Sequence, residues 1–456
     1  KLYWTAPRVI GGEDPVELGK NNSGHGVGGS MVHYAGYTPR FHPSDFAVRT
    51  LDGVGADWPI AYEDLRAHYE QVEAELPVSG QDWPWGDPHR YPYNAHPISG
   101  GSEQAMRGAR ELGIEVRVGP VAIPNGAFGN RPHCIYRGFC VQGCKVNAKA
   151  SPLITHLPDA IEHGVEVRAD SHAVTVETDE RGRCTGVTYD HDGRLSHQHA
   201  AAVAVCGYSI ETPRLLLSST SRRSPHGLAN DHDQVGRYIM VQGAPQVAGR
   251  FPDRLHMYKA PPPEISSEQL YETDPTRDFV RGFSIQTVGP QPIAWAEHVL
   301  ADGHWGQALR EYMRDYNHWF TLGALSELLP RADNRVTLAD ETDAHGMPIA
   351  RMDYTQCDND RANIAAAKQT LHDIWQAAGA QDVLTIDRYA HLVGGCRMGT
   401  SPESSVVDSD HRAWGVPNLF IADGSVMPTQ SATNPALTIM ALASRLAERL
   451  GTKRVD

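Results

Sequence analysis

His391 and Asn434 bracket the stretch HLVGGCRMGTSPESSVVDSDHRAWGVPNLFIADGSVMPTQSATN, and PALTIMALASRLAERL follows it directly. An imidazole has the proton affinity to take a hydroxyl proton near neutral pH. A single histidine is more often a satisfied core or surface residue, but the LVGGCRMG after His391 is too rich in glycine to have been chosen for packing. Further along, NLFIADGSVMP reads as a short apolar strand ending in Asp423-Gly424. A carboxylate at the C-terminal end of a parallel strand can accept hydrogen bonds from sugar hydroxyls, although Asp-Gly also suits an ordinary type I turn. Asn434-Pro435 places a favoured N-cap before a favoured first helical residue. The N–H groups of the helix that follows would favour negative charge in front of them, or would simply be well capped.

Other parts of the chain must position these groups. NNSGHGVGGSMVHYAGYTPRF (residues 21–41) opens on a glycine-rich turn whose backbone can come close to a ligand or serve as a flexible loop. The spacing of Gly24, Gly26, Gly28 and Gly29 is not the dinucleotide fingerprint. Leu65, Tyr69, Val72 and Leu76 fall at helical spacing, with Glu63 and Asp64 in the first turn and Pro77 as the stop. Residues 81–100, rich in Trp, Pro, Tyr and His, read as an irregular surface loop with aromatic anchors, or as a lid, before a helix near 101–113. From 165 to 206 the period changes to two, a three-stranded meander turning at Arg181-Gly182 and Asp192-Gly193. Its last run, Ala200 to Cys206, is small and apolar on both faces, as in a buried parallel strand. IETPRLLLSS then predicts a helix with Pro213 in its first turn and Leu215–Leu217 packed inward. Residues 236–385 alternate as antiparallel strands, with helices near 292–314 and 358–379.

The 456 residues can form two or three domain-sized units, and 43 glycines with 31 prolines fit a loop-rich α/β protein. With 41 Lys and Arg against 55 Asp and Glu, the net charge of −14 argues against nucleic acid or an anionic membrane surface as partner. No apolar run approaches the roughly 18 residues of a membrane span. Seven cysteines, an odd and mostly scattered set, are not a secreted disulfide framework. The opening KLYWTAPRVIGG has no initiator Met and no signal-peptide pattern.

HLVGGCRMG, NLFIADGSVMPT and NPALTIMALA together resemble the C-terminal signature of the glucose–methanol–choline (GMC) flavoprotein oxidoreductases, closest to the pyranose oxidase and gluconate and fructose dehydrogenase branches. VGGSMVHYAGYTPRF is similar to the pyranose oxidase flavin loop, and IETPRLLLSS to the family's second signature. The resemblance implies a mixed α/β fold: a Rossmann-like FAD-binding domain (1–57, 100–235 and 386–456) and a lid with an antiparallel-sheet substrate domain (58–99 and 236–385). The family's N-terminal glycine-rich nucleotide motif has no match here, so the FAD-binding domain reads as N-terminally incomplete. The resemblance further implies FAD as cofactor, a sugar or polyol CH–OH donor, and oxygen, a quinone or a redox partner as the electron acceptor. His391 becomes the general base and Asn434 the residue that orients the substrate hydroxyl. Asp423 and Gly424 would hold the ribityl–pyrophosphate region, Pro435 and Thr438 the pyrimidine edge, and Gly28, Gly29 and Ser30 the opposite side. His33 stands where pyranose oxidases carry covalent flavin, but Tyr34-Ala35-Gly36 follows it, so a non-covalent contact is the expectation and a covalent bond the alternative. Cys134, Cys140 and Cys144, spaced C-x5-C-x3-C, resemble the iron–sulfur cysteines of some multisubunit members, with free thiols as the other reading and no metal site assigned. A flavin lyase or isomerase, or a non-catalytic scaffold subunit, are the alternatives in function.

Overall fold

The computed structural model describes residues 7–13, 15–16, 23–259 and 261–452, so KLYWTA and the opening Asn21-Asn22 of the glycine-rich stretch lie outside the described residues. Its centre is an eight-stranded antiparallel sheet. The strands run in the order Asp382–Ile386, Gln246–Arg250, Trp319–Ser326, Phe283–Val288, Ile265–Ser267 and Arg117–Val118, and Met240–Gly243 links the end of the third to Tyr389–Val393.

Strand periodicity divides this sheet into two chemically different faces. Ile285, Ala324, Leu322 and Val247 alternate onto one face, against the helices Gly100–Glu111 and Asp358–Ala377. The longer helix contributes Ala367, Leu371, Ile374 and Trp375, and the Trp375 indole donates to Val247 O at 2.7 Å. Burying each such large apolar side chain is worth about 1.5–3 kcal/mol, so this face holds the sheet in place. The opposite face carries Ser266, Gln286, Gly323 and Gln246 in one cross-strand row, with Ser284 two residues along. These polar side chains are buried too, and that is the side on which the site lies.

The segment 40–52 is pinned to the sheet by charge. Arg40 grips Glu73 with two hydrogen bonds of 2.7 Å, and the fully buried Arg281 meets Asp45, Asp52 and Glu327. The helix Glu63–Glu75 forms as its spacing predicts, burying Leu65, Tyr69 and Val72 against the C-terminal helix Ala436–Thr452. The aromatic anchors draw inward the loop expected at the surface: Trp83, Tyr91 and His96 are buried, and the Trp83 indole donates to Glu268 Oε2 at 2.8 Å.

The meander forms as Ser171–Thr178, Cys184–His191 and Arg194–His199, with Asp192 and Gly193 both at positive φ, as a tight hairpin turn requires. Val203–Val205 then pairs in parallel with Leu419–Ile421. The next helix is Tyr208–Ser218, so Pro213 lies in its interior rather than in its first turn. Asp423 accounts for the earlier start, because its Oδ2 accepts from Tyr208 N at 2.9 Å and from Thr212 Oγ1 at 2.5 Å. Among the described residues no helix is long and apolar enough to cross a membrane.

Candidate active site

His391 owes its position to a break in strand pairing. Tyr389 and Ala390 pair with Gly243 and Gln242, and the register then shifts before Val393 meets Met240. Such a bulge bends the strand and re-aims a side chain. His391 sits there at φ +48°, a conformation a non-glycine residue adopts only when its surroundings impose it. Its carbonyl accepts from Gln430 Nε2 at 2.7 Å. Gly394 follows at φ +79°, where a Cβ would stand 2.2 Å from Tyr238 O, so the turn admits only glycine.

Both ring nitrogens of His391 have partners: Nδ1 lies 2.6 Å from Gln242 Oε1, and Nε2 lies 3.1 Å from Asn434 Nδ2. Burial first, and then the Arg388 cation, hold the imidazole down to about pKa 4, so it is neutral at ordinary pH and able to accept a proton.

Asn434 does not cap the C-terminal helix as its type suggests. Its carboxamide nitrogen is turned to His391, and its Oδ1 is buried with no hydrogen-bond partner. Pro435 supplies the first helical carbonyl, accepting from Ile439 N at 2.9 Å. Thr438 is buried one turn in, its hydroxyl 2.8 Å from the Tyr69 phenol.

Asp423 and Gly424 lie outside the carboxyl ends of the parallel pair Val203–Val205 and Leu419–Ile421, the usual place for a ligand in such a sheet. Asp423 ties that crossing together, because besides Tyr208 and Thr212 it accepts from Ser425 N at 2.8 Å. Gly424 O accepts from Gly394 N at 2.9 Å, joining this crossing to the histidine loop.

Gly28, Gly29, Ser30 and His33 form a second group, on a turn held by Lys149. The buried Lys149 ammonium donates to Met31 O, Val32 O and Tyr34 O at 3.3, 3.0 and 2.6 Å. It also lies 4.7 Å from the centre of the Tyr34 ring. Gly29 has φ +62° and ψ −162°, and open space where a Cβ would be, so its backbone is presented rather than packed. The Ser30 hydroxyl accepts from Gly24 N at 2.9 Å. His33 is buried, and burial and then Lys149 bring it down to about pKa 4. Cys134 and Cys144 pack beside the buried Cys140, yet among the described residues no three His, Cys, Asp or Glu side chains are grouped to hold a metal.

Gln242, Gln430 and Tyr37 were not legible as site residues. Tyr37 donates to Ser266 Oγ at 2.6 Å on the polar face of the sheet. No motif marks these three, and only the pairing of 389–393 with 240–243 brings Gln242 to the histidine.

A flavin fits the residues present. Asn434 Oδ1 and Gln430 Oε1, next to His391, are buried acceptors with no protein partner. Natively buried polar atoms are rarely left so, and a heterocycle bearing N–H groups would complete them.

Two family models, both of GMC oxidoreductase, match residues 23–243 and 330–443. The 2-methyl-1,2-propanediol dehydrogenase of Mycolicibacterium austroafricanum is 34% identical over 461 residues, covering 94% of this chain and 81% of that enzyme. The fructose dehydrogenase large subunit of Gluconobacter japonicus is 28% identical, covering 93% of this chain and 80% of its own length. The crystal structure of pyridoxine 4-oxidase from Mesorbium loti superposes with a TM-score of 0.71 at 15% identity, over 100% of this chain and 89% of that one, and so shares the fold.

Proposed function

The chain belongs to the GMC oxidoreductase family and is an FAD-dependent oxidoreductase acting on CH–OH donors; we propose that its donor is a sugar or polyol, that His391 is the general base, and that Asn434 orients the reacting hydroxyl. The observation that carries this reading is the contact of His391 Nε2 with Asn434 Nδ2 at 3.1 Å, on an imidazole held neutral.

FAD, when bound, supplies the acceptor for the hydride that leaves the carbinol carbon. His391 Nε2 takes the hydroxyl proton, so the oxygen keeps the O–H electron pair and the C=O bond forms as hydride departs. Asn434 gives that oxygen a donor through Nδ2, while Oδ1 stays available to a cofactor or substrate N–H or O–H. The N-terminal turn of the helix Ala436–Thr452 favours the negative charge that collects on the reduced cofactor. Pro435 and Thr438 would border that edge, Thr438 through its backbone N–H because Tyr69 occupies its hydroxyl. Asp423 and Gly424 would hold the ribityl–pyrophosphate region at the strand ends. Gly28, Gly29 and Ser30 would lie along the other side, with His33 in contact.

A polyhydroxylated donor is supported by the polar sheet face. Ser284 Oγ and Gln286 Oε1 are buried there without partners, beside Ser266 and Gln246. Hydroxyls presented by a substrate would satisfy them. The division into an FAD-binding part (1–57, 100–235, 386–456) and a lid and substrate part (58–99, 236–385) belongs to the same proposal, although Gly100–Glu111, Arg117–Val118 and Tyr389–Val393 pack or pair with the antiparallel sheet of the second part.

Anaerobic mixing of the FAD-loaded protein with a panel of sugars, polyols and vicinal diols tests the reading. Bleaching of the flavin's visible absorbance is expected with at least one of them, and His391→Ala should slow it by about 10²–10⁴-fold. No bleaching by any sugar, polyol or simple alcohol would overturn it.

A further inference from the structure

We propose that Gln242 is a positioning residue for the oxidation: it fixes the tautomer of His391, so that the lone pair lies on Nε2, the nitrogen that faces Asn434 and would exchange that contact for the substrate hydroxyl. The inference rests on His391 being the base, and it follows from who can donate to whom.

Gln242 is fully buried, and its two amide atoms face different partners. Nε2 lies 2.6 Å from Ser431 O and 3.0 Å from Thr433 O. Carbonyl oxygens only accept, so the atom facing them must be the NH2 group. The other amide atom, 2.6 Å from His391 Nδ1, is therefore the carbonyl oxygen, which can only accept. Nδ1 must carry the ring proton to make that bond. A neutral imidazole has one N–H, so Nε2 is left with its lone pair. The Asn434 contact agrees, because Nδ2 is a donor placed 3.1 Å from that acceptor.

Ser431 and Thr433, whose carbonyls orient Gln242, stand in the turn that delivers Asn434. One turn thus sets the direction of the base and of the residue beside it. Gln430, in the same turn, holds the His391 carbonyl, so the imidazole is fixed at the backbone as well as at Nδ1. A neutral amide suits this task. A carboxylate facing Nδ1 would raise the proton affinity of the ring and would be repelled by the two carbonyls that now receive N–H groups.

Once Nε2 has taken the proton, both ring nitrogens carry hydrogens. Nδ1–H still has the Gln242 oxygen, and Nε2–H faces the oxygen it came from. The amide does not itself take part in proton transfer.

The test is carried out on the FAD-loaded protein labelled with 15N-histidine. A spectrum of His391→Gln identifies the His391 signals by their loss. The inference expects a pyrrole-type Nδ1 and a pyridine-type Nε2 in the unsubstituted protein, and the reverse pattern overturns it. Gln242→Met keeps the volume but removes the acceptor at Nδ1. Its flavin-reduction rate should fall by about 10- to 100-fold, part of a full general-base contribution of about 10²–10⁴. KM and the bound FAD per chain should stay near those of the parent, and the His391 signals should show protonated Nε2. A Gln242→Met protein with full FAD and an unchanged rate overturns the inference even if His391→Ala is inactive. If His391→Ala reduces flavin normally, the base assignment itself is lost, and the two failures are thereby told apart. If Gln242→Met does not fold, the nitrogen shifts of the unsubstituted protein still decide the matter.

Discussion

Lowering the pH should leave the reductive step almost untouched until well below the usual histidine range. His391 is held down to about pKa 4, by burial first and by Arg388 second. The pH dependence of kcat/KM reports the base of the free enzyme, so its acid limb should fall near 4 rather than near the unperturbed histidine value of about 6.5. At pH 5 a base with pKa 4 is roughly nine-tenths neutral, whereas one at 6.5 is only about 3% neutral, so kcat/KM at that pH should be roughly 30-fold higher than an ordinary histidine would allow. The structure also ranks the causes. Arg388→Met removes the cation but leaves the burial, so the acid limb should rise yet remain below 6.5. The assay is anaerobic stopped-flow reduction after a pH jump, because acid also weakens the fold. In the folded protein His391 and His33 bind protons less readily than in the unfolded chain. The unfolded state therefore gains protons first as pH falls from about 6.5 to about 4, and stability drops across that window. An acid limb at or above 6.5 would refute the neutral-base reasoning, and an unmoved limb in Arg388→Met would remove the role given to that cation.

Asp423→Ala removes the acceptor for Tyr208 N, Thr212 Oγ1 and Ser425 N where two elements cross. Hydrogen bonds to a charged group are worth about 1.5–3 kcal/mol each in isolation, and losing this shared acceptor should cost on the order of 3 kcal/mol in urea unfolding, with reduced FAD content in the purified protein. A variant as stable and as yellow as the parent would show that Asp423 holds neither. Lys149→Met strips three carbonyls of the 31–34 turn of their donor. It should weaken FAD retention during gel filtration more than it lowers the melting temperature, and the reverse ranking would count against that turn as a cofactor contact.

Local patterns in the sequence settled much of the architecture. Apolar spacing placed the helix Glu63–Glu75, and alternation with Asp192-Gly193 placed the meander. The small apolar run up to Cys206 marked a parallel strand, found at Val203–Val205, although only Val203 and Val205 are buried and Ala204 is exposed. The misreadings came where a distant residue overrides local preference. Pro213 suggested a later helix start, but Asp423, from the far end of the chain, caps the helix earlier. The aromatic residues of 81–100 read as a surface loop, but Glu268 and the core claim Trp83. Asn434 had the type and place of a cap, but His391 takes its carboxamide.

The sequence by itself determined that His391, Asp423 and Asn434 share one segment, and that a glycine turn and a helix flank them, because these depend on residue type and spacing. Only the tertiary structure decided which way each of them points. The direction of His391 depends on a bulge against Met240–Gly243, and its tautomer on an amide nearly 150 positions away in the chain, whose own orientation is dictated by two backbone carbonyls. Hydrogen-bond direction is a property of neighbours in space, and in this site those neighbours come from three separate parts of the chain.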